Sequence, residues 1–112
     1  MNYSDKPLLD KEILAENTMN SVQLQQELFV LFFEQGDLYL SQLDEALRDG
    51  DVEAWRMTAH GVKGASRSLG FTRLASVASD AERSSPDADR LAKLGTIMAD
   101  TRGAVWPREN AA

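Results

Sequence analysis

The chain of 112 residues has no cysteine. Disulfides, thiolate metal sites and a nucleophilic thiol are thereby excluded. Its three prolines stand at 7, 86 and 107, outside the periodic stretches, so no helix is interrupted by one. No run of about 18 apolar residues occurs, so no membrane-spanning helix is expected. The start, Met1-Asn2-Tyr3-Ser4-Asp5-Lys6-Pro7, lacks the basic and apolar regions of a signal peptide. The expected location is cytoplasmic. Sustained alternation of polar and apolar residues is missing, which leaves no strand. A single histidine, His60, and scattered carboxylates make neither a zinc site nor a calcium loop. A Gly-rich phosphate loop, a kinase signature and a nucleophile elbow are also absent, and nothing supports a Ser-His-Asp triad. No metal or cofactor is expected on this chain, and no enzyme with its own nucleotide site.

What is present is helical periodicity punctuated by caps. Apolar content of 43% and charged content of 27% suit one globular domain over 1–112, with about 8–106 ordered. Asp10 is a possible cap for a short helix from Leu9 to about Asn17. Ser21 caps a long helix to Asp49, with Gly50 after it and Gly36-Asp37 as a possible kink. Asp51 caps a third helix that ends at Leu69 before Gly70. Thr72 caps a fourth that ends near Ser84-Ser85-Pro86. Asp87 caps a fifth toward Trp106, stopped by Pro107, and the tail 108–112 is expected to fray. Short connections between long helices predict an all-α fold, an antiparallel up-down four-helix bundle with a short additional N-terminal helix over one end.

The net charge of −6 opposes nonspecific binding to nucleic acid or anionic lipid. Its distribution is uneven: residues 1–50 carry net −7, residues 51–83 net +1, and the remainder is neutral. The least acidic part holds His60. At 100° per residue, His60, Lys63, Gly64 and Arg67 share a stripe with Arg56 one turn earlier, opposite Trp55, Ala59, Val62, Ala65, Ser66 and Leu69. A surface histidine is most often inert, and a charged stripe is most often a solvated face. Here the imidazole faces water among cations, beside a glycine that costs the helix about 1 kcal/mol against alanine. An accessible imidazole with a free lone pair is a phosphoryl acceptor, and the cations can neutralise the group it receives.

The run Ala59 to Glu82 resembles the histidine-containing phosphotransfer (HPt) domain of multistep His-Asp phosphorelays. The residues carrying the resemblance are His60, Val62, Lys63, Gly64, Ala65, Ser66, Leu69, Gly70, Leu74, Ala78 and Glu82. Val62 replaces a common leucine, Gly61 is unusual within a helix, and Ala81 is smaller than the usual leucine before Glu82. The resemblance implies a free-standing carrier that exchanges a phosphoryl group between His60 and aspartates of response-regulator receiver domains, upstream of which stands a hybrid or separate histidine kinase. Mg²⁺ and an acidic pocket would belong to the receiver. The ring nitrogen pointing to solvent, Nε2, is the expected acceptor, with Lys63, Gly64 and Arg67 around it, and the carrier is expected to be a monomer. Two rivals stand beside this reading: the phosphorylatable domain of a chemotaxis-type kinase, and a helical adaptor that binds receivers without transfer.

A receiver also needs apolar surface near His60. The second helix is apolar over about 200° of its girth, where roughly 100–140° would suffice for a core face. Phe33 and Leu40 at one edge, with Arg56, Met57 and Gly61 across the groove, are the expected docking residues. Plain core for Phe33 and Leu40 is the competing expectation.

Overall fold

The computed structural model describes residues 5–106. They form five helices: α1 Lys11–Thr18, α2 Val22–Asp49, α3 Val52–Ser68, α4 Thr72–Glu82 and α5 Ala88–Val105. No strand occurs among the described residues. Four starts carry the predicted caps. Asp10 accepts from the backbone N–H of Glu12 and Ile13, Ser21 from Leu24, Asp51 from Ala54 and Asp87 from Arg90, each occupying an otherwise orphaned first-turn donor. Gly50 follows α2 in the left-handed conformation, at φ 66°. Pro107 and the tail lie outside the described residues.

Two expectations about helix starts and breaks change. Thr72 is the first residue of α4 rather than its cap, and Phe71 stands at the cap position without a side-chain bond. The lead-in segment replaces a cap, because the Arg73 N–H donates to the Pro7 carbonyl at 2.9 Å. The Arg73 guanidinium also donates to the Lys6 carbonyl at 2.8 Å. Gly36 does not break α2, which runs unbroken for 28 residues. A Cβ at Gly36 would lie 3.0 Å from Met98 Sδ, so this glycine admits α5 close to α2.

α2 packs on α3 and α5, α3 on α4, and α4 on α5, while α1 touches α2 and α3. The helical bundle closes around Trp55, Leu43, Val62, Phe71, Leu74 and Leu94, all fully buried. Phe71 sits among three α2 rings, at centroid distances of 5.7 Å to Phe29, 5.0 Å to Phe32 and 5.8 Å to Phe33. The α3–α4 turn is held from below by α1. Asp10 N–H donates to the Gly70 carbonyl at 2.7 Å, and Asn17 donates to the Ser68 carbonyl at 2.7 Å. Gly70 has φ 78°, and a Cβ there would collide with the Asp10 carbonyl, so both conformation and space require glycine.

The buried stripe of α2 takes in the Phe33 edge expected to dock. Phe29, Phe32, Phe33, Gly36, Leu43 and Ala46 face inward. Phe33 is 3% exposed, 5.4 Å from the Trp106 ring, so it is core and not a docking residue. Leu40 is half-buried against that core. The cause is that α2 serves α5 as well as α3, which pulls the Phe29/Phe33 edge into the bundle. Leu31 and Leu38, at the opposite edge, are left 61% and 49% exposed.

Candidate functional site

His60 lies in the middle of α3, on the face opposite Ala59 and Val62, which are fully buried. Its side chain is 65% exposed. The ring does not stand alone. Nδ1 is 2.8 Å from Glu82 Oε2, at the last residue of α4. The other carboxylate oxygen, Oε1, lies 2.5 Å from Lys63 Nζ. One carboxylate thus joins the imidazole and the ammonium, and both Lys63 and Glu82 are largely covered. The two cationic and imidazole partners, Lys63 first, hold the Glu82 carboxyl below its ordinary value of 4.5.

The backbone explains why Glu82 arrives there. Trp55, fully buried on α3, donates its indole N–H to the Ala81 carbonyl at 2.8 Å. The Ser84 hydroxyl donates to the same carbonyl at 2.9 Å. These bonds satisfy the end of α4 at Glu82, just short of the expected end near Ser84-Ser85-Pro86. They tie that end to α3, one residue from the carboxylate that meets His60. Ala81 is itself fully buried.

A carboxylate can only accept. In the neutral ring the Nδ1 position therefore carries the proton and Nε2 the lone pair. The contact orients the ring through its Nδ1 side and leaves Nε2 on the side away from Glu82.

The predicted cations behave differently from one another. Lys63 is not a free surface charge but the covered partner of Glu82. Arg56 is paired with Glu53 one turn before it, both side chains remaining exposed. Arg67 is exposed and enters no ion pair among the described residues. Gly64 is exposed, and a Cβ there would meet nothing within 4 Å, so the surface beside His60 is open. Gly61 is not open: its Cβ would lie 3.3 Å from Tyr39 Oη, so Tyr39 of α2 covers it. Met57 is 62% exposed. An apolar groove lined by Leu28, Leu31, Phe32, Ala65 and Leu69 runs between α2 and α3 beside this surface.

Glu82 is the residue that the sequence stripe could not contain, because it lies on another helix. Its only signal was its place in the family-like pattern. Among the described residues no group of His, Cys, Asp or Glu is arranged to hold a metal ion, and no helix is long and apolar enough to cross a membrane.

Comparison with known proteins agrees with the geometry. The family model of the Hpt domain matches residues 27–104, well over half of the chain and inclusive of α3, α4 and nearly all of α5. No curated protein and no solved structure matches the chain. Hpt domains are phosphocarriers of two-component phosphorelays, exchanging phosphoryl groups with receiver domains and kinases rather than catalysing a reaction of their own. With a helical bundle, an exposed histidine and a carboxylate behind it, this chain belongs to the Hpt domain family.

Proposed function

We propose that the chain is a free-standing, monomeric histidine phosphotransfer protein whose α2–α5 form an antiparallel up-down bundle and whose phosphoacceptor is His60 Nε2. The observation that carries this reading is the Nδ1 contact to Glu82 on an otherwise exposed ring. Nε2 attacks the phosphorus of a receiver's aspartyl phosphate. The N–P bond forms as the P–O bond to the aspartate breaks, and the carboxylate leaves. The ring becomes cationic, because Nδ1 keeps its proton. Glu82 stabilises that charge at the moment it develops. Return of the group to an aspartate reverses each step. Mg²⁺ and the acidic pocket belong to the receiver, and in-line geometry comes from docking.

Docking uses the exposed edge of α2. Leu31, Leu38 and Met57 supply the apolar contact, and the vacancy at Gly64 lets the receiver approach the imidazole. Arg67 contributes an unpaired charge at the rim. Lys63 acts through Glu82 in the resting protein, and an incoming phosphoryl group competes with Glu82 for it.

The test is transfer from a phosphorylated receiver. The chain should gain acid-labile, base-stable label, and His60→Gln should gain none. Label retained in His60→Gln overturns the assignment. Label accepted directly from an ATP-charged kinase, with no receiver present, would point to the kinase-domain reading instead.

A further inference from the structure

Five of the twelve lysines and arginines of this acidic chain line one groove: Lys6, Arg67, Arg83, Arg90 and Lys93. It lies over the outer face of α4, walled by the lead-in, α1, the end of α3 and the start of α5, away from the Leu31–Met57 edge and sharing with the receiver face only the rim residue Arg67. Asp80 is the single acid among its lining residues. Arg83, Arg67 and the Lys6 ammonium form no ion pair among the described residues. Arg90 is fixed at the rim by Asp80 at 3.0 Å and Asp87 at 3.2 Å. Three hydroxyls, of Thr72, Ser76 and Ser79, follow the helical repeat along the α4 face, and Arg83 already donates to Ser79 Oγ at 2.9 Å. Ala75, Val77 and Ile13 add apolar floor.

A solvated face needs no such sorting. Guanidinium forks with hydroxyls recognise phosphate oxygens. The groove holds about 860 Å³, within the range of small-molecule sites. A nucleic acid extends far beyond it and meets the net charge of −6. A small anion feels mainly charges within a Debye length, about 8–10 Å. We propose that this groove binds a small molecule carrying two or more phosphate groups and an apolar body, a nucleoside di- or triphosphate in chemical class, at a site separate from His60.

The test is isothermal titration of the whole chain, at about 0.15 M salt, with tripolyphosphate and with adenosine triphosphate free of Mg²⁺. Saturable one-site binding is expected for both, tighter for the nucleotide. Arg83→Gln and Ser76→Asp should each weaken it on the order of tenfold or more, with unchanged melting and unchanged phosphoryl transfer from a receiver. Amide shifts should fall on α4 and the start of α5. Unsaturable heats, equal binding by both variants, or shifts centred on His60 and Gly64 would overturn the proposal. Loss of receiver docking in Arg83→Gln with anion binding intact would also overturn it, and would make the groove a protein contact.

Discussion

At the scale of single residues, the site rests on Glu82. Its carboxyl is held below 4.5 by Lys63 and His60, so its pairing stabilises the fold above that value. The contribution is lost as pH falls through the lower folded-state value, because the unfolded chain takes up the proton first. Glu82→Gln lacks this dependence. Denaturation of both proteins from pH 7 to pH 3 should show a stability difference that shrinks as pH falls below about 4.5; parallel curves in that range would contradict the pairing. The same variant should slow transfer to His60 on the order of tenfold, since a neutral amide stabilises the cationic ring less. Ser66 offers a contrast. Its hydroxyl is fully buried without a hydrogen-bond partner among the described residues. Ser66→Ala should leave stability unchanged or raise it by up to about 1 kcal/mol in urea unfolding, whereas a clear loss would reveal a partner for that hydroxyl. His60, Gly64 and the exposed Arg67 were legible from one helical stripe. The engagement of Lys63 was not, because its partner comes from α4 and no periodicity within α3 encodes it.

At the scale of elements, helix starts were legible where a side chain makes the cap, as at Asp10, Ser21, Asp51 and Asp87. The start of α4 was not, because its capping group is the carbonyl of Pro7, distant in sequence. The facing of α2 was not legible either. A helix apolar over more than half its girth can turn several stripes inward, and only the positions of α3 and α5 decide between them. Two substitutions separate the edges. Phe33→Ala should cost about 3–5 kcal/mol in denaturant unfolding, as removal of a core aromatic does. Leu31→Ser should shift stability by less than about 0.5 kcal/mol while weakening receiver binding several-fold by titration. The reverse pattern would return docking to the Phe33 edge. Trp55→Phe probes how α3 positions α4. Losing the indole N–H to the Ala81 carbonyl should cost about 1–3 kcal/mol and slow transfer beyond what the stability loss explains, since Glu82 is the next residue. Transfer at the wild-type rate would mean that Glu82 is placed by other contacts.

At the scale of the whole molecule, the bundle holds one imidazole between packed helix ends and solvent. Four packed helices, a turn braced by α1 and an indole tie between α3 and α4 fix an imidazole by its inner edge and leave its outer edge in water. The all-α class and the phosphotransfer resemblance were legible because caps and the His60–Glu82 pattern are local in sequence; the direction of the ring depends on packing between helices. The central claim is therefore which nitrogen carries the phosphoryl group. Long-range ¹H–¹⁵N spectra of the single histidine, before and after phosphorylation by a charged receiver, measure it directly. The account predicts a proton on Nδ1 in both states and phosphorus on Nε2 in the second. Phosphorus on Nδ1, or an unmodified ring in a chain that has taken up label, would contradict it.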